Sequence, residues 1–219
     1  MNIELDPAAT ALLIMDYQPA TLGFLADPDA FVSPAATLAN ELRAAGGKIV
    51  FVRVAFTDDD YANFPARSMM GTRVKSGRPN LDDDSPTSRI HPGVTPQPSD
   101  LVVRKIRVGS FSTTDLHADL RAAGVTTLVL AGVHTSGVVL STVREAHDLD
   151  YELIWPPTRA LIPTNRCTGF SSMRYCRDRL TLRPSAISAP PCKPRRRAHS
   201  HAPPRRLSGV LARLDAQSC

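Results

Sequence analysis

Apolar and polar positions alternate in blocks along the first 155 residues. Thr10–Met15 (Thr-Ala-Leu-Leu-Ile-Met) is an unbroken apolar run closed by Asp16. Such a run suits a strand covered on both faces, as in a parallel sheet. Ser33–Ala45 spaces its apolar residues at helical intervals, with Ser33 as a cap, Pro34 in the first turn and Gly46-Gly47 past the end. Lys48–Ala55 is β-branched and predicts a second strand. Asp100–Arg104 predicts a third, ending at Lys105. Ser112 or Thr113 can cap a helix through Ala123, with Gly124 at its end. Leu128–Ala131 and Tyr151–Trp155 predict a fourth and a fifth strand. Thr57–Pro98 has little periodicity and is rich in Asp, Pro, Gly and Ser, so it reads as a long loop. Strands alternating with helices predict an α/β fold with a doubly wound parallel sheet in three layers.

The segment Leu128–Ala146 carries the most chemistry. A short apolar strand runs into the small and polar turn Gly132–Gly137, and a helix is predicted from Val138 onward. A strand feeding a helix through such a turn gathers backbone N–H groups at one spot. That spot can hold an anion or a developing oxyanion. It is also where open parallel sheets bind small molecules.

Composition divides the chain in two. The net charge of +5 conceals thirteen of the 26 Lys and Arg residues in 156–219, against only two of the 21 acidic ones, Asp178 and Asp215. Nine of the 19 prolines and all four cysteines (Cys167, Cys176, Cys192, Cys219) lie there too. Residues 1–155 therefore read as one acidic α/β domain and 156–219 as a basic Pro/Arg-rich tail. Low hydrophobic content with high charge predicts disorder for that tail. Its cysteines form no C-x-x-C pair, so no zinc site is read. It lacks interleaved aromatics, so a nucleic-acid-binding arm is disfavoured. No run of about 18 apolar residues suggests a membrane span. The N-terminus lacks the basic-then-apolar pattern of a secretory signal, and the expected location is the cytoplasm.

Asp16, Lys105 and the Gly132–Val138 turn all fall at predicted strand ends, which converge on one crevice in this fold. A carboxylate there can transfer a proton. An ammonium beside it favours the ionised carboxylate and supports negative charge. Asp58-Asp59-Asp60 and Asp82-Asp83-Asp84 read as solvated loop charge rather than a metal site, since no histidine lies near the first run and His91 is isolated. Gly71–Gly77 lacks the phosphate-loop pattern.

The elements Ala11-Leu12-Leu13-Ile14-Met15-Asp16-Tyr17-Gln18, Lys105 followed by Gly109-Ser110-Phe111, Gly132-Val133-His134-Thr135 and Thr142-Val143-Arg144-Glu145-Ala146 resemble the isochorismatase-like hydrolases, which include cysteine hydrolases. The resemblance runs from about Thr10 to Trp155. It implies a six-stranded parallel sheet with helices on both faces, and a catalytic Asp, Lys and Cys. Asp16 and Lys105 match the first two. The resemblance also implies an oxyanion hole of backbone amides, here Val133, His134 and Gly137, after a cis Val133–His134 peptide. The thiol position, six residues after the motif glycine, is Val138. Valine cannot attack a carbonyl. Ser136 and Ser141 lie nearby with no evident base. The isochorismatase branch offers a route without a thiol, in which the aspartic acid protonates a vinyl ether and water adds to the cation.

These implications set the functional expectation. It is a hydrolase of a small amide or vinyl ether, with Asp16 moving the proton and Lys105 supporting charge. No cofactor is expected, and the partners are a small-molecule substrate and a second copy of the chain. The competing expectation is a catalytically inactive binding protein or a damaged gene product that keeps the fold. The tail does not match a family ending, so the last strand is expected to be missing. Back-translating Pro157–Thr181 and shifting the frame permits DACADPDQPMHRVLIDAVLPRQAD, which looks like such an ending. A frameshift near Trp155 accounts for this compatibility, and the nucleotide sequence decides it.

Overall fold

The computed structural model describes residues 4–155 together with Arg174–Tyr175 and Thr181–Leu182. Five parallel strands build the sheet. In chain order they are β2 (Thr10–Met15), β3 (Lys48–Val54), β4 (Leu101–Lys105), β5 (Thr127–Gly132) and β6 (Glu152–Trp155), after a short β1 (Glu4–Leu5). In space the order is β4-β3-β2-β5-β6, with a two-residue β7 (Arg174–Tyr175) beside β6. A two-residue β8 (Thr181–Leu182) pairs with β1 in a separate parallel ladder. These two fragments are the described part of the segment expected to be a disordered tail. The rest of that expectation, and of the frameshift reading, lies outside the described residues.

The helices are α1 (Pro19–Leu22), α2 (Asp29–Ala44), α3 (Asp58–Ala62), α4 (Met69–Ser76), α5 (Leu116–Ala122) and α6 (Leu140–Asp148). No described helix is long and apolar enough to cross a membrane.

Strand alternation explains why β2 is apolar throughout. Leu12 and Ile14 point to one face, where Val32, Ala35, Ala39 and Leu42 of α2 cover them with Phe51 and Val129. Ala11, Leu13 and Met15 point to the other, against Leu116 and Leu120 of α5 and Val143 and Ala146 of α6. A strand buried on both faces has no polar side to spare.

Three sequence expectations change. Helix α2 begins at Asp29, so Pro34 lies inside it and Ser33 caps nothing. The acidic Asp29 supports the earlier start. Helix α5 begins at Leu116 after Asp115, not at Ser112 or Thr113. Most of all, Thr57–Pro98 is not a structureless loop. Thr57 and Asp60 form a capping box that starts α3, and the Ser68 hydroxyl accepts from Gly71 N to start α4. These short helices close their own apolar cluster of Phe56, Tyr61, Phe64 and Val74.

Strand order also fixes where a ligand crevice forms. From β2 the chain steps outward through β3 to β4, then returns to the other side of β2 as β5. The reversal lies between β2 and β5, at their carboxyl ends.

Candidate active site at the strand ends

Asp16 directly follows β2 and Lys105 ends β4, with β3 between them. The Lys105 side chain reaches across that gap. Its Nζ donates to Asp16 Oδ2 at 3.2 Å and to the Val108 carbonyl at 2.6 Å. Lys105 is 1% exposed and Asp16 8%, so the pair sits in the interior rather than on a wet surface. The second carboxylate oxygen, Asp16 Oδ1, is buried with no hydrogen-bond partner among the described residues. Burial pushes the Asp16 carboxyl above its ordinary value, and this outweighs the opposing pull of Lys105 and of His134. From the sequence alone the ammonium is expected to win, because a sequence shows the charge partner and not the packing on which desolvation depends.

The backbone aims this carboxylate. Asp16 has φ of 62°, a left-handed conformation rare outside glycine. Its N–H donates to Val52 O at 2.8 Å, and the Thr21 hydroxyl donates to its carbonyl. Gln18, of the same motif, is wholly buried. Its Nε2 donates to Val54 O at 2.8 Å and to Ser88 O, and its Oε1 accepts from Val54 N at 2.8 Å. The glutamine thus ties the loop after β2 to the end of β3 and to the 86–88 turn. The motif was visible in the sequence. This tie was not.

The turn after β5 differs from expectation in two ways. The Val133–His134 peptide is not cis, since the cis bonds of the described residues comprise Arg78–Pro79 alone. Conformational strain sits instead in His134, whose φ is 66°. Two of the three amides assigned to an oxyanion hole are also already used. Val133 N donates to Met15 O at 3.1 Å, extending the β2–β5 ladder, and Gly137 N donates to His134 O at 2.9 Å. The amides of His134, Thr135 and Ser136 precede the first complete turn of the helix that follows.

Thr135–Val139 winds as a π-helical turn before α6. Such turns are frequent at functional sites. Gly132 lets it pack tightly, because a Cβ there would lie 2.6 Å from Val139 Cγ2 and 3.2 Å from Met15 Cε. Val138 is 2% exposed and presents only carbon. The exposed His134 meets the Phe24 ring at 6.3 Å, and Phe24 itself is 80% exposed.

The acidic runs are solvated only in part: Asp58, Asp59 and Asp84 are exposed, while four of the six carboxylates meet arginines. Arg78 pairs with Asp58 at 2.7 Å and Asp82 at 3.0 Å, Arg53 pairs with Asp83 at 2.6 Å, and Arg104 pairs with Asp60. Among the described residues no group of three His, Cys, Asp or Glu side chains is placed to hold a metal.

Sheet order and strand-end chemistry together define a doubly wound α/β domain with a buried acid–amine pair beside its switch point. An isochorismatase domain spans residues 10–157, and the chain belongs to the isochorismatase family of hydrolases. It is 33% identical over 164 residues to the uncharacterized isochorismatase family protein YecD of Escherichia coli O157:H7, covering 69% of this chain and 79% of that one. It is 31% identical over 172 residues to the ureidoacrylate amidohydrolase RutB of Agrobacterium fabrum, covering 68% and 74%. Its structure is similar to N-carbamoylsarcosine amidase from Thermoplasma acidophilum, with TM-score 0.59 at 25% identity over 72% of this chain and 86% of that one.

Proposed function

We propose that this chain hydrolyses a small amide or vinyl ether by activating water, with Asp16 as the proton-transfer residue and Lys105 as its charge support. The observation that carries this reading is the buried pair itself, in which Asp16 Oδ1 is left without a partner. Amide substrates are favoured by the two amide-cleaving relatives.

Position 138 decides the form of the mechanism. Valine cannot form a covalent acyl intermediate, so water is the attacking group. With an amide, water adds to the carbonyl carbon, Asp16 accepts its proton and passes it to the leaving nitrogen, and the C–N bond breaks. The developing oxyanion lies toward the His134, Thr135 and Ser136 N–H groups. With a vinyl ether, the protonated Asp16 gives its proton to the terminal carbon, and water adds to the resulting oxocarbenium cation and returns a proton to Asp16. The hemiketal so formed breaks its C–O bond to release an alcohol and leave a carbonyl. Burial raises the Asp16 carboxyl above its ordinary value and so favours the acid form that this second route uses.

The competing reading is a binding protein that retains the fold, and Val138 favours it. A hydrolysis screen with nicotinamide, N-carbamoyl compounds and isochorismate separates the two. Turnover abolished by Asp16→Asn supports the proposal, and turnover that survives this change overturns it. A silent native chain that gains amidase activity as Val138→Cys counts against the water-activating proposal and shows that the rest of the site is intact.

A further inference from the structure

Lys105 is held less by the carboxylate it neutralises than by a backbone carbonyl. Its contact with Val108 O, at 2.6 Å, is much shorter than its 3.2 Å contact with Asp16. Val108 lies in Ile106–Phe111, irregular backbone with neither helix nor strand to fix it. The next three residues are each fastened to α6. Glu145 presses its carboxylate against Gly109, where an added Cβ would meet Oε2 at 2.2 Å. Thr142 Oγ1 accepts from Ser110 N at 3.2 Å and shares a second hydrogen bond with Ser110 Oγ at 2.9 Å. Glu145 Oε2 accepts from Phe111 N at 3.1 Å. Ser110 and Thr142 are completely buried, and Ser110 Oγ also donates to the sulfur of Met15, the residue before Asp16, at 3.3 Å.

We propose that Thr142 and Glu145 form a positioning latch on α6. By clamping Gly109-Ser110-Phe111 they place the Val108 carbonyl, and through it the Lys105 ammonium, against Asp16. Neither residue touches the reacting atoms. Their function is to keep the charge partner in register across a strand that separates it from the acid. The inference rests on the reading that Asp16 and Lys105 are the working pair.

The sign of the effect makes it testable. Removing the negative Glu145 would by simple electrostatics loosen proton binding at Asp16. Releasing the latch does the opposite, because the displaced ammonium no longer opposes the burial that favours the protonated acid. The titratable groups facing Asp16 are Lys105 and His134, and only Lys105 hangs on the latch.

The experiment is a carbon-13 NMR titration of the Asp16 carboxyl in the full chain, without substrate, its signal assigned by its loss in Asp16→Asn. Glu145→Ala and Thr142→Val are expected to tighten proton binding at Asp16 about tenfold, the scale of one weakened charge partner. Glu145→Gln and Thr142→Ser keep the acceptor atoms and are expected to titrate as the native chain does. Folding of each variant is checked by circular dichroism. Should Glu145→Ala not fold, Glu145→Asp keeps the charge and withdraws the carboxylate by one methylene, and a tightened titration is again expected. An unchanged or loosened titration in folded Glu145→Ala, Thr142→Val or Glu145→Asp overturns the latch. Absence of hydrolysis would defeat the functional reading and leave this titration untouched.

Discussion

Replacing Lys105 with methionine tests whether the buried pair is as coupled as its geometry indicates. Methionine matches the aliphatic stem and removes only the charge and its donors. In the native chain Lys105 is 1% exposed and Asp16 8%. This is the interior regime, where deleting one partner costs about 3–5 kcal/mol because the other is left charged and unpaired. That cost depends on pH. Without Lys105 the Asp16 carboxyl, already raised by burial, rises further above the value near 3.8 of the unfolded chain. Between those two values the folded state holds a proton that the unfolded state has released. Stability therefore increases as pH falls through the folded value, by about 1.4 kcal/mol per pH unit for one proton. Denaturant unfolding of Lys105→Met and the native chain at pH 8 and pH 5 measures the difference directly. The expected loss is the full charge penalty at pH 8, shrinking at pH 5 toward the about 1 kcal/mol of a lost hydrogen bond. The double change Asp16→Asn with Lys105→Met is expected to recover most of the loss at pH 8, since neither buried charge remains. An equal loss at both pH values, or a larger one at pH 5, would refute the coupling.

Two further changes probe the scaffold that holds the pair. Gln18→Leu removes the glutamine partner of Val54 N and Val54 O and leaves Ser88 O only its long contact with Arg53 Nη1 at 3.5 Å, and at about 1–3 kcal/mol per orphaned group it is expected to lower the denaturation midpoint sharply; a midpoint close to the native one would mean that water reaches those groups. Gly132→Ala places a methyl group 2.6 Å from Val139 Cγ2 and is expected to cost about 1–3 kcal/mol by overpacking, read as a drop in Tm. An unchanged Tm would show that Val139 can turn aside.

Much of this site is legible in the sequence because burial on both faces writes an unmistakable pattern. The run before Asp16, the run before Gly132 and the short strand before Lys105 could each be placed, and the strand ends then brought the acid and the amine together. What stayed hidden was decided by where hydrogen bonds go. The amides of Val133 and Gly137 look available in a sequence, and only the fold shows them given to Met15 and His134. Helices α3 and α4 escaped because they are set by side-chain caps at Thr57 and Ser68, too short for periodicity to emerge. The acidic runs looked solvated because their arginine partners lie up to 44 residues away in the chain. The direction of the Asp16 shift was hidden for the same reason, since it depends on what packs around the carboxylate.

The placement of strain says what this domain has kept. Three described residues other than glycine adopt a positive φ, and two of them, Asp16 and His134, stand at the ends of neighbouring strands beside the switch point. Each such conformation costs on the order of 1–3 kcal/mol and persists only where its surroundings enforce it. The enforcement is visible: Asp16 is bonded at both its N–H and its carbonyl, and His134 is flanked by the Val133–Met15 bond and by its own carbonyl's bond to Gly137. None of these restraints depends on the side chain at position 138. They orient the acid, its ammonium and the head of the π-helical turn whether or not a nucleophile follows. The strain lies where the proposed proton transfer and charge stabilisation would need it, and this placement favours the water-activating route we propose.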